Sequence, residues 1–373
     1  MRDDVGSLED ITAAAMRTTG LTDFGDRDHE EGLDLLLEDY ATRAGLTGVG
    51  NHRMRGMVKG LLVAKLVAQQ GLAAHPASSD VAIEKPVFIM GLPRSGTTLL
   101  QRLLTADPAH QGLEQWLADL PQPRPPRDTW DADPIFSAMQ GGYAAFHEAN
   151  PELAGLHYSD AASHEECWRL LQHTGRSVAF ETQALTPGYS AWLQAQDWTP
   201  AYERHRTLLQ LIGMNDPDQR WILKNPSHLV ALDAIRTVYP DAVIVVTHRD
   251  AVACAASMCS LAAASTRGTS SVFVGATIGR TQLDLLVREQ AAFRASPHSA
   301  DVIDVAYADL VADPLSTLRG VYAAAGLVWS DAAEAAASAE LARSRSGVRA
   351  PKHAYDLADY GITESQVRDA LTE

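Results

Sequence analysis

The sequence predicts an α/β fold, a central parallel sheet flanked by helices with a helical N-terminal segment in front of it. Apolar runs at 86–90, 220–224, 242–247 and 302–307 have the length of strands, and an unbroken run such as Ala242–Thr247 suits a strand buried on both faces. Helical patterns alternate with these runs, which is the signature of βαβ units. Residues 1–80 read as helices throughout.

Taken in order, Leu33, Leu35, Leu36 and Leu37 crowd one helix, and Met54, Met57, Leu61, Leu62, Leu66 and Val67 recur at helical intervals in the next. Glycines near 46–50 and the Ala-His-Pro-Ala-Ser-Ser tract at 74–79 punctuate them. The second tract reads as a linker, dividing a helical segment at 1–80 from one α/β unit at 81–373. After the strand at 86–90, a helix over 97–106 ends before Asp107-Pro108, and the proline-rich stretch 121–126 must be irregular. Residues 163–174, 200–213 and 228–238 read as helices. The Ala/Ser/Thr/Gly-rich tract 262–279 reads as a mobile loop or lid, and a final helix follows Asp313-Pro314.

Composition narrows the function. An apolar fraction of 46% and a charged fraction of 21% are those of a globular enzyme. A formal charge of −16 argues against a nucleic-acid partner, which needs a dense basic face. Local arginines can still hold a small anion. Cys167, Cys254 and Cys259 fit neither a disulfide framework nor a zinc spacing, so they read as buried thiols in a reducing, cytoplasmic compartment. The acidic start after Met1 is no secretory signal, and no run approaches the length of a membrane span.

The most informative stretch is Gly91-Leu92-Pro93-Arg94-Ser95-Gly96-Thr97-Thr98, between a strand and an apolar helix. A strand that passes through a glycine turn into a helix N-terminus aims free N–H groups and the helix dipole at one spot. Gly91 and Gly96 have phosphate-cradle spacing, but Thr97 stands where a triphosphate-binding loop needs lysine. Arg94, Ser95, Gly96, Thr97 and Thr98 therefore suit a smaller anion.

Further groups converge on the same sheet edge. Arg249 ends a strand and Ser257 follows eight residues later, about two helical turns on, so a charged fork and a hydroxyl can reach one phosphate. Lys224 and His228 emerge just past another strand, where open α/β sheets bind ligands. Glu114 returns to this edge after the loop helix and can act as a base, as can His228. His164-Glu165-Glu166 is a rival acid/base cluster, although adjacent glutamates on a helix tend to face water.

The order Gly-Leu-Pro-Arg-Ser-Gly-Thr-Thr, Trp-Ile-Leu-Lys-Asn-Pro-Ser-His and Thr-His-Arg-Asp resembles the bacterial sulfotransferase family common in actinobacteria. Thr19–Gly25 and His353-Ala354-Tyr355 extend the likeness over nearly the whole chain. The resemblance implies a P-loop-like three-layer fold and 3′-phosphoadenosine 5′-phosphosulfate (PAPS) as sulfonate donor, with adenosine 3′,5′-bisphosphate as product. It implies that the 91–98 loop holds the 5′-phosphosulfate, that Arg249 and Ser257 hold the 3′-phosphate, and that Tyr307 touches adenine. The basic run Arg343, Arg345, Arg349, Lys352 and His353 either closes over the 3′-phosphate or forms a solvated tail. No metal is required, since a sulfonate bears less charge than a phosphoryl group. The acceptor would be a hydroxyl of a small molecule, an apolar one by the hint of Trp116, Trp130, Trp168, Trp192 and Trp198.

The sequence also departs from the family. Arg94 replaces the lysine of the cytosolic aryl and steroid enzymes, Leu99 stands in place of their adenine-stacking tryptophan, and Trp116 is followed by Leu117 where bacterial relatives often have Trp-Glu. The last departure leaves the base open between Glu114 and His228. The other readings are an ATP-dependent small-molecule kinase, for which the loop lysine and a magnesium aspartate are missing, and a non-catalytic nucleotide-binding protein.

Overall fold

Five strands, β1 (Val87–Gly91), β2 (His110–Gly112), β3 (Arg220–Lys224), β4 (Val243–His248) and β5 (Ile303–Ala306), form one sheet of order β2-β3-β1-β4-β5. All pairs are parallel. This is a computed structural model that describes residues 4–149, 160–346 and 356–371.

The unbroken apolar runs have a direct cause. Phe88, Met90, Leu223, Ile244 and Val246 enter the core on one face of the sheet. Val87, Ile89, Ile222, Val245 and Val305 enter a second core on the other, so every position of a central strand is dry. The helix Thr199–Ile212 covers the first face through Tyr202, Leu208, Leu209 and Ile212. The helix Thr97–Thr105, with Leu100, Leu103 and Leu104, and the helix Pro314–Ala325, with Leu318, Val321 and Tyr322, cover the second. The result is the expected three-layer arrangement.

The N-terminal helices are α1 (Leu8–Thr19), α2 (His29–Thr42) and α3 (Gly48–Ala74). Ser7 caps α1 by accepting from the Asp10 amide, Thr47 caps α3 by accepting from that of Gly50, and Gly20 closes α1 at φ +71°. Leu33, Leu36, Tyr40, Met54, Val58 and Leu62 share a core with Phe180, Tyr189, Met258 and Leu285 from later in the chain.

Three local expectations are corrected. The tract 262–279 is not a free lid. The helix Ala251–Ser265 takes up its first residues and the helix Ala276–Ala295 its last, and the stretch between them is tied to the α2–α3 turn. Thr269 O accepts from the Thr47 amide at 3.0 Å, Ser271 N donates to Gly45 O at 2.9 Å, and the Ser270 hydroxyl donates to Ala44 O at 2.6 Å. Its small polar residues serve turns that dock. Residues 163–174 hold only the short helix Trp168–Leu171 and the tight turn Gln172–Thr174. The helix expected over 228–238 begins as a tight turn, Pro226–Ala231, before Leu232–Val238. Among the described residues no helix is long and apolar enough to cross a membrane.

Candidate active site

Parallel strands in register bring their C-terminal ends level. Ile89 lies opposite Lys224, and Gly91 opposite Thr247. The loop after β1, Lys224 after β3 and Arg249 after β4 therefore meet at one edge, with β1 in the middle.

The loop is held in an uncommon conformation. Gly91 has φ +142° and Gly96 φ +102°, regions open to glycine. A Cβ on Gly91 would lie 2.4 Å from the Thr247 carbonyl oxygen, and one on Gly96 2.9 Å from the Tyr307 ring. Arg94 also sits at positive φ, +70°, which costs about 1–3 kcal/mol for a residue with a Cβ. Its surroundings hold it there. Arg249 Nη1 donates to the Arg94 carbonyl at 2.9 Å, and Arg94 Nε donates to the Ser257 hydroxyl at 3.1 Å. Arg249 and Ser257 thus meet at one residue, Arg94. Below the turn, the Ser95 and Thr247 hydroxyls are 2.5 Å apart and both buried.

Gly96 opens the helix Thr97–Thr105, and no side chain caps its N-terminus among the described residues. Its first amides are available to an anion. Tyr307 lies beneath this corner with its ring 4.4 Å from the Arg249 guanidinium carbon, a cation–π contact that fixes the fork's plane.

Lys224 is buried, and its Nζ has two partners, the Glu166 carboxylate at 2.5 Å and the Thr98 hydroxyl at 3.4 Å. One ammonium thereby joins the first helical turn after the anion loop to an acid. Glu166 belongs to a segment without regular structure. That segment is placed by tertiary hydrogen bonds, from Cys167 N to Lys224 O at 2.9 Å and from Glu165 N to Leu113 O at 2.7 Å.

The two expected bases are each engaged by another side chain. The Glu114 carboxylate accepts from Nε and Nη2 of Arg124 at 3.1 and 3.0 Å. The same guanidinium also reaches Gln111, the Gly112 carbonyl and Asp216. Glu114 and Arg124 border a cleft of about 570 Å³ that also takes in His110 and Trp130. His228 is completely buried. Its ring meets Phe88 edge-on at 5.1 Å, and its Nδ1 lies 2.5 Å from the Tyr202 hydroxyl. Burial, with the positive charge of Lys224 adding to it, holds this imidazole well below its ordinary pKa.

Of the basic C-terminal run, Arg349, Lys352 and His353 lie outside the described residues, as does the Arg345 side chain. Arg343 is bonded to Glu340. The residue the sequence undervalued is Glu166. Its pairing with Lys224 depends on a coil path that no periodicity reveals.

A family model described as "Sulfotransferase family" matches residues 86–331. Among solved structures, the chain is similar to the sulfotransferase STF1 of Mycobacterium tuberculosis H37Rv, with 46% identity over 99% of each chain and a TM-score of 0.92. It is also similar to the sulfotransferase STF9 of Mycobacterium avium, with 25% identity over 100% of this chain and 96% of that one, at a TM-score of 0.88. No curated protein matches significantly.

Proposed function

The chain belongs to the sulfotransferase family, and we propose that it moves a sulfonate from PAPS to a hydroxyl of a small, largely apolar acceptor in the cytoplasm. The observation that carries this reading is the arrangement around Arg94. A strained loop opens an uncapped helix and is tied to Arg249 and Ser257, with the Lys224–Glu166 pair on the adjoining strand.

In this reading the amides that open the helix Thr97–Thr105 and the Arg94 guanidinium hold the 5′-phosphosulfate, assisted by the Thr97 and Thr98 hydroxyls. Arg249 and Ser257 take the 3′-phosphate, and Tyr307 borders the adenine. The donor fits the chemistry present, since the loop offers cations and N–H groups, and its glycines let the backbone pass against Thr247 and Tyr307 where a Cβ would intrude.

Glu166 acts as the base. It removes the acceptor's proton as the acceptor oxygen bonds to sulfur and the bond from sulfur to the bridging phosphate oxygen breaks. Once protonated, Glu166 holds Lys224 less strongly, and the ammonium is free to stabilise charge on the departing oxygen. Proton removal and leaving-group stabilisation thus share one ion pair, and the rest is positioning and electrostatics. Adenosine 3′,5′-bisphosphate leaves.

The acceptor reading draws on composition and on the partly buried Leu92 and Leu185. Trp116, Trp130 and Phe136 pack on one another and belong to the core instead. A screen of alcohols and phenols with sulfur-labelled PAPS tests the proposal. Labelled sulfate esters are expected. Turnover of ATP with the same acceptors, and none of PAPS, would overturn it.

A further inference from the structure

Among the described residues, one acid beside this site has no ion-pair partner. Glu289 lies on the helix Ala276–Ala295, on the buried stripe that also carries Ile278, Gln282, Leu285 and Leu286, and is itself completely buried. Neither carboxylate oxygen has a well-formed hydrogen bond among the described residues, although the Ser227 hydroxyl faces the group. Ser227 follows Lys224 closely, on the turn Pro226–Ala231 that packs along this helix.

Two ion pairs lie close by among the described residues. Lys224 pairs with Glu166 at 2.5 Å, and Arg288 with Glu181 at 2.8 Å. His228, on the same turn as Ser227, is held neutral by burial. An ionised Glu289 would leave the cluster with one unbalanced negative charge, next to the place proposed for the sulfonate. Burial is the main cause that pushes this carboxyl up to about 7, with the charges of Glu181 and Glu166 adding to it and Ser227 and Arg288 opposing. The group changes charge in the range where an enzyme works.

We infer that Glu289 is a positioning residue of the donor site, which must hold a proton for the 5′-phosphate end of the nucleotide to settle against Lys224, and which draws a proton from solvent when the nucleotide binds. This rests on the donor reading above. A polyanion arriving beside a carboxylate raises its proton affinity, and by linkage the proton raises affinity for the polyanion.

The test is calorimetric titration of adenosine 3′,5′-bisphosphate into the wild type and Glu289→Gln, in buffers of different ionisation enthalpy. Glutamine keeps the size of the side chain and mimics the protonated acid. Between about pH 6 and pH 8.5 the wild type should lose about fivefold or more in affinity relative to the variant, and should take up more protons per ligand bound. Glu289→Met, also uncharged and of similar size, carries the same expectation should the glutamine variant fold poorly. Identical pH dependence and proton uptake in wild type and variant would overturn the inference and leave the donor reading intact. If the wild type does not bind the bisphosphate at all, the donor reading falls and takes the inference with it.

Discussion

Lys224 Nζ lies 2.5 Å from the Glu166 carboxylate, 58 positions away along the chain. The pair links the strand beside the anion loop to a segment that has no regular structure of its own. Lys224 also reaches Thr98 in the first turn of the loop helix, and the proposed role of the pair rests on these two contacts.

If Glu166 is the base, Glu166→Gln should lower turnover of an unactivated alcohol by about 100- to 10,000-fold. A phenol of low pKa, which ionises unaided, should suffer much less. Steady-state rates with one acceptor of each kind check this. Equal losses on both would point to a role in placing Lys224 alone.

Arg94→Ala should lower kcat by about 100- to 1000-fold, the range seen when one donor to a developing anion is removed. Acceptor KM should move far less, because the guanidinium acts at the donor. Near-normal turnover at saturating PAPS would make the loop a binding element only.

For Glu114 we propose a structural task. Its partner Arg124 is buried, and each side chain is no more than 10% exposed. Glu114→Ala strips one acid from a guanidinium that also serves Gln111, Gly112 and Asp216. The expected loss is about 3 kcal/mol in urea unfolding, the lower end for a broken buried pair, with little change in the turnover of folded enzyme. Unchanged stability with collapsed turnover would instead make Glu114 the base.

Stability should fall in acid because of buried histidines. His29, His173, His205 and His228 are all held below the ordinary pKa of 6.5, mainly by burial, His29 at about 4 and His205 at about 3. The unfolded chain binds protons that the folded one refuses, so stability is full above about pH 6.5 and declines as pH falls toward the folded values. Each histidine steepens the decline by about 1.4 kcal/mol per pH unit. His205→Gln should flatten the slope of unfolding free energy against pH by about that amount between pH 6 and 4. An unchanged slope would mean that His205 titrates normally in the folded protein.

What was legible in the sequence follows from which residues carry their own signal. β1, β3, β4 and β5 are apolar runs bounded by turns, and the loop between Gly91 and Thr98 announces itself because only glycine tolerates two of its positions. β2 is His-Gln-Gly, too short and too polar to show any periodicity. It exists because it pairs with β3. Glu166 reads from sequence as facing water because its segment looks helical, whereas tertiary bonds to Lys224 and Leu113 set its course. Glu289 had a signal that went unread, a charged residue on the apolar stripe of its helix. The docking of 266–275 onto Ala44 and Gly45 is long-range and left no local trace.

We propose that the site around Arg94 is built for a nucleotide carrying phosphate at both the 5′ and the 3′ position. Calorimetric comparison of adenosine 3′,5′-bisphosphate with AMP tests it most directly. The charge-assisted contacts assigned to Arg249 and Ser257 should contribute about 1.5–3 kcal/mol each where the donor is charged, so the bisphosphate should bind at least about tenfold more tightly, and Arg249→Ala should erase the preference. Equal Kd values for the two nucleotides would contradict the claim.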